Sequence, residues 1–166
     1  MIRLPTLWTI VIDCLAWAIF QTAIAYVFVK LPRSRFSSEQ WLFRTRRWER
    51  GGATYQKIFR VRRWKSLLPS GGTLLGGFPM QRIASWDSDY LKTWIAETCR
   101  AELCHWFSIM PAPFFFLWNP VSVGIGMVVY ALLFNLPLVI TQRYNRSRLV
   151  AIVGKLEGRR GRLKAV

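Results

Sequence analysis

Leu103–Thr141 reads LCHWFSIMPAPFFFLWNPVSVGIGMVVYALLFNLPLVIT, and from Trp106 to Gln142 there is no Asp, Glu, Lys, Arg or His. A straight helix through all of it would run about 58 Å, roughly twice the ~30 Å of hydrocarbon in a bilayer. Asn119-Pro120 stands near its middle. The stretch therefore reads as a helical hairpin with legs 103–119 and 121–141. Pro111 and Pro113 should kink or break the first leg, because proline removes a helix hydrogen bond and clashes with the preceding turn.

Working outward, Leu7–Val29 is a second apolar run whose single Asp, Glu, Lys, Arg or His is Asp13. It is longer than the apolar core of a usual signal peptide, and no small-x-small cleavage site clearly follows it. Its 23 residues suffice for one crossing. Between and beyond these runs lies the charge. The chain has 166 residues, 24 Lys+Arg against 8 Asp+Glu and a formal charge of +16, yet it is 52% hydrophobic. Fifteen basic residues fall in 30–103, eight after Gln142, and Arg3 is the remaining one. That hydrophobic fraction excludes disorder and argues against a soluble nucleic-acid module, so no nucleic-acid partner is expected.

The fold class implied is an all-α integral membrane protein forming one domain over 1–166. It has about three spans (7–29, 103–119, 121–141), an interfacial region at 30–102 and a basic tail at 142–166. Basic residues collect on the cytoplasmic side. An outside N-terminus then puts 23 of the 24 there, and gives a multi-pass protein of the cell membrane. Ser37–Arg50 and Tyr55–Leu68 interleave Trp, Leu, Ile and Phe with Arg and Lys. Both are expected to be amphipathic helices in the headgroup plane, in contact with membrane lipids. Gly71–Gly77 marks a loop. From Asp87 or Ser88, either able to cap, a helix should run without interruption into the second span. The three cysteines read as small apolar fillers rather than a disulfide framework.

One histidine exists, His105, just inside the apolar run and following Glu97, Arg100 and Glu102 on the same helix. Glu102 lies three residues away on an adjacent position. An imidazole held by a carboxylate is the minimum needed to activate a hydroxyl nucleophile. The plainer alternative is an interfacial histidine beside a solvated charged turn. Ionisable groups at membrane depth are costly, which favours function. Counting from the hairpin turn puts Glu97 level with Arg143 at the cytoplasmic rim and His105 some ~10 Å deeper. Gln21 sits at comparable depth on the first span, whereas Asp13, nearer the other leaflet, reads as a polar contact between helices. Gln142, Arg143, Tyr144, Asn145, Arg146 and Arg148 form either a stop-transfer cap on anionic lipid or a guanidinium clamp for phosphate. No metal site is expected. A di-iron carboxylate pair would need a second Glu-x-x-His, and zinc spacing is missing.

Glu97-Thr98-Cys99-Arg100-Ala101-Glu102-Leu103-Cys104-His105-Trp106, together with Gln142-Arg143-Tyr144-Asn145-Arg146-x-Arg148-Leu149, resembles the small integral-membrane glycosyl-diaponeurosporenoate acyltransferases of staphyloxanthin-type carotenoid synthesis. Length, hydropathy layout and Arg63-Trp64-Lys65 are also similar. The resemblance implies transfer of a fatty acyl chain to a sugar hydroxyl of a glycosylated carotenoid acid. Catalytic roles are expected at His105, with Glu102 or Glu97 orienting it. Substrate contacts are expected from Arg100, Arg143, Asn145, Arg146 and Gln21. No bound cofactor is implied, and acyl-CoA is a fitting acyl donor. The alternatives are acyl transfer to another glycolipid, or a non-catalytic membrane adaptor for which His105 would be dispensable.

Overall fold

A computed structural model describes residues 5–68 and 75–164 of the chain, and among these all regular structure is helical. Four α-helices carry the fold: α1 (Thr6–Lys30), α2 (Ala53–Phe59), α3 (Ser88–Ile109) and α4 (Val121–Lys164). Short 3₁₀ turns join them at Arg33–Arg35, Arg47–Gly52, Val61–Arg63, Lys65–Leu67 and Ala112–Leu117. Two helices are long and apolar enough to cross a membrane, α1 and the part of α4 from Val121 to Arg160.

The hairpin turns where the sequence places it, and α4 starts directly after Pro120. The first leg is not one helix. It stops at Ile109 before Pro111 and continues as the 3₁₀ segment Ala112–Leu117. Proline at 111 and 113 denies the α-helix its hydrogen bonds there, and the tighter winding rises ~2.0 Å per residue instead of ~1.5 Å. The opposing face of α4 is made to fit: a Cβ on Gly124 would sit 2.5 Å from the Phe116 ring.

α1 runs antiparallel to this leg, and its polar residues mark the register. Asp13, buried, accepts hydrogen bonds from Trp118 Nε1 (2.7 Å) and Asn119 Nδ2 (2.8 Å) at the turn. Trp17 stacks on Phe115, Gln21 Nε2 donates to the Ser108 carbonyl (3.2 Å), and Phe28 meets Phe107. At the far end Arg100 Nη1 donates to the Val29 carbonyl (3.2 Å). Asp13 is thus the inter-helix polar contact expected of it.

Beyond the hairpin α3 and α4 stay paired. Asp87 caps α3, its carboxylate accepting from the Asp89 and Tyr90 amides, and Leu91, Trp94 and Ile95 pack on Leu149 and Val153. The 142–166 tail is therefore an extension of α4 as far as Lys164, with an apolar stripe that α3 covers.

Residues 33–68 wrap this pair and depart from the two expected interfacial helices. Ser37–Arg50 is mostly turns, with the Ser37 hydroxyl accepting from the Glu39 amide in a turn instead of capping a helix. Phe43 and Glu49 are both driven inward. Positive φ at Arg50, Gly51 and Gly52 then reverses the chain. Tyr55–Leu68 is α-helical only through Phe59 and continues as two short 3₁₀ turns, because Arg60 takes φ 51° and returns Val61 to the core. Burial of particular side chains has overridden local helix propensity, which is weak for segments this short. The loop read at Gly71–Gly77 falls partly outside the described residues; Gly76 within it has φ 76°.

Candidate functional site

His105 lies on α3 facing α4, where its Nδ1 stands 3.2 Å from Asn135 Oδ1. The Asn135 amide nitrogen donates to the Ala131 carbonyl (3.0 Å), which fixes which end of the amide faces the imidazole. An oxygen can only accept, so Nδ1 carries the proton and a neutral ring keeps its lone pair on Nε2. Among the described residues Nε2 makes no hydrogen bond.

The carboxylates expected to orient this ring are engaged elsewhere. Glu102, one turn toward the charged end, pairs with Arg143 Nε (2.7 Å) and with Arg146 Nη2. Arg143 also donates to the Leu42 carbonyl (2.6 Å) and reaches Glu49 at 3.5 Å, and Glu49 accepts from the Ser147 hydroxyl. Glu49, Glu102 and Arg146 are all buried, with Arg146 at 0% exposure and its guanidinium over the Phe43 ring. The four charges cancel in number, as burial of ions requires. Tyr55 shows the local environment: burial first, and the Glu49 carboxylate second, push its phenol well above the ordinary tyrosine value.

Glu97 is not level with Arg143. It pairs with Arg33 Nε (2.7 Å) and with Arg100 at the exit of α1. The steeper rise of the six 3₁₀ residues accounts for about 3 Å of the ~7.5 Å that separates Glu97 from Glu102 along α3, and the rest is set by how α3 packs on α4. Gln21 bonds the Ser108 backbone rather than the imidazole, and Asn145 Oδ1 accepts from Lys65 Nζ (3.2 Å).

Six of the expected site residues thus divide into three groups along α3 and α4, with Gln21 and Asn145 outside them. His105 is nearest the hairpin turn, Glu102 with Arg143 and Arg146 lies in the middle, and Glu97 with Arg100 lies beside the end of α1. Sequence reasoning passed over Asn135, Glu49 and Ser147. Asn135 had a signal, being an amide inside an apolar helix where an unpaired polar group is costly. Glu49 had none short of the fold, because its partners are 94 and 98 residues away. Among the described residues no three His, Cys, Asp or Glu side chains gather as a metal site would need.

Fold and site together define an all-helical protein with two apolar helices of membrane-spanning length and a single imidazole set between them and a buried ion-pair cluster. A model of the family described as glycosyl-4,4'-diaponeurosporenoate acyltransferase matches residues 39–155. The chain is 36% identical over 144 residues to the glycosyl-4,4'-diaponeurosporenoate acyltransferase of Staphylococcus aureus (strain USA300), covering 86% of this chain and 87% of that one. It is 32% identical over 134 residues to the protein of the same name from Staphylococcus haemolyticus (strain JCSC1435), covering 80% and 78%. No solved structure matches it. The chain belongs to the glycosyl-4,4'-diaponeurosporenoate acyltransferase family.

Proposed function

We propose that this chain is a multi-pass membrane enzyme that transfers a fatty acyl group from a thioester donor, acyl-CoA being the fitting one, to a sugar hydroxyl of a glycosylated carotenoid acid. Family membership supports the reaction class and acceptor. The observation that carries the chemistry is the His105–Asn135 pair, which leaves Nε2 unprotonated and, among the described residues, without a hydrogen bond.

His105 Nε2 takes the proton of the sugar hydroxyl as its oxygen attacks the acyl carbonyl carbon. The tetrahedral oxyanion collapses, the carbon–sulfur bond breaks, and the imidazolium returns the proton to the leaving thiolate. Asn135 holds the ring in the tautomer this needs, the role first expected of Glu102 or Glu97. Arg100 and Arg143, whose side chains are 10% and 19% exposed, are the guanidiniums of the expected set that a donor head or oxyanion can approach. Arg146, sealed beneath, holds Glu102 in place.

Three crossings are supported by the pairing of α1 with the first hairpin leg from Asp13–Asn119 to Val29–Arg100, a depth of about 24 Å along α1. Large apolar side chains left exposed on α1, such as Leu7, Ile10, Leu15 and Ile19, need hydrocarbon as their solvent. Exposed Trp41, Trp48, Ile58 and Leu67 on the wrap suit the headgroup layer. The charged end, with Glu97 and Arg143, is then cytoplasmic. An amphiphile with its polyene in the bilayer and sugar at the interface reaches His105 without leaving the membrane.

The test is His105→Ala and His105→Gln, assayed for the acylated pigment in membranes supplied with the unacylated glycoside. Loss of a general base costs ~10²–10⁴-fold. Both variants should therefore insert normally and accumulate the glycoside. Near-normal product from either would remove the catalytic role and favour an adaptor.

A further inference from the structure

Five described cations of this chain pair with a carboxylate, whereas three that do not pair converge on the hydroxyl and ring of one tyrosine. Arg62 Nε and Arg148 Nη1 both donate to the Tyr144 hydroxyl oxygen, at 3.0 and 3.1 Å. Lys65 Nζ stands 5.3 Å from the centroid of the same ring and Arg148 lies over it at 5.4 Å. The three come from the 3₁₀ segments after α2 and from α4, so only the tertiary fold brings them together. Among the described residues none of them forms an ion pair, although Arg33, Lys92, Arg100, Arg143 and Arg146 all do. Like charges converging without a counter-ion repel one another. Burial lowers the Lys65 pKa, Tyr144 opposes this, and the neighbouring Arg148 and Arg62 push it down further.

The donors left over point to what completes the cluster. Tyr144, buried at 1% exposure, spends both lone pairs on the two guanidiniums, and its own O–H proton has no acceptor among the described residues. Lys65 uses one of its three N–H donors, on Asn145. Gly52 maintains the space: a Cβ there would stand 2.8 Å from Arg148 Cγ and 3.1 Å from the Tyr144 carbonyl oxygen.

We propose that Arg62, Lys65 and Arg148, arranged around the Tyr144 phenol, form a binding site for a phosphate-bearing anion. A multi-oxygen tetrahedral anion accepts from a guanidinium fork, an ammonium and a hydroxyl at once. These residues are separate from the His105–Asn135 pair and from the Glu102 cluster, so the site stands whether or not His105 is the base. Its phosphate comes either from a soluble coenzyme-type donor or from an anionic lipid headgroup, since exposed Ile58, Phe59 and Leu67 flank the same segments.

The full-length protein in phosphatidylcholine nanodiscs is titrated with inorganic pyrophosphate and with coenzyme A. In a second arm, retention of phosphatidylglycerol from mixed nanodiscs is read by native mass spectrometry. Arg62→Gln/Lys65→Gln and Arg148→Gln are compared with Arg159→Gln, a tail cation outside the cluster. Thermal unfolding reports that each variant is folded, and Lys65→Arg, which keeps the charge, should retain binding. Weakening of the soluble probes by about tenfold or more in the cluster variants alone supports a soluble phosphate ligand. Loss of phosphatidylglycerol retention in those variants alone supports a lipid phosphate. Cluster variants that match Arg159→Gln in both arms overturn the proposal.

Discussion

Glu102→Gln separates what the buried cluster does for stability from what His105 does for chemistry. The substitution keeps shape and removes one charge at a side chain 1% exposed, facing Arg146 at 0% and Arg143 at 19%. Arg146 then loses its one carboxylate partner in a site water cannot enter, and two of its nitrogens already make no hydrogen bond. Breaking a buried pair from one side costs ~3–5 kcal/mol, because the remaining charge stays desolvated. For a chain of this size each kcal/mol moves the midpoint by ~2–4 °C, so a fall of roughly 6–20 °C is expected. The assay is thermal unfolding of the purified protein in detergent, followed by far-UV circular dichroism at one scan rate. Glu102→Gln/Arg146→Met, which removes both charges, should recover a large part of the loss. Acyl transfer by Glu102→Gln, measured well below its midpoint, should persist at a substantial fraction of wild type. A midpoint within about 2 °C of wild type would refute the buried pairing. Activity as low as that of His105→Ala, with the fold intact, would make Glu102 part of the reaction instead.

Three further outcomes follow from the geometry. Asp13→Ala strands two donors at the hairpin turn, Trp118 Nε1 and the buried Asn119 amide, and should cost ~1–3 kcal/mol in the same unfolding assay; an unchanged midpoint would show that the α1 register is wrong. Gly52→Ala forces a non-glycine residue to φ 88° and a Cβ against Arg148 and the Tyr144 backbone, so it should destabilise by ~1–3 kcal/mol, whereas the same change at Gly154, inside α4 with open space around it, should stabilise by ~0.5–1 kcal/mol. Thiol labelling at Thr6→Cys and Arg159→Cys in intact cells, in a chain freed of its native cysteines, should report opposite sides of the membrane, and labelling of both from one side would sink the three-crossing arrangement.

What the sequence determined by itself is the part set by runs and breaks along the chain. The absence of charge through 106–142 and its near absence through 7–29 define the apolar segments, and Asn119-Pro120 defines the turn. The start of α3 at Asp87 or Ser88 and Asp13 as an inter-helix contact were also legible, and the structure chose Asp87 as the cap. Hydrophobic period and proline chemistry act over a few residues and need no partner to be read. The tertiary structure decided everything that depends on who meets whom. Ser37–Arg50 has the composition of an amphipathic helix, yet Phe43 and Glu49 find their burial against α3 and α4, and the backbone breaks to deliver them. His105 could be singled out as the solitary imidazole, but its partner is Asn135, 30 residues away, and not the nearby carboxylates. A Glu102–Arg143 pairing in place of Glu97–Arg143 reflects how α3 and α4 pack, with the pitch of Ala112–Leu117 contributing about 3 Å of the ~7.5 Å difference. A pair of charges in a dry core must meet, and the packing of the helices from the turn to the rim selects which pair it is.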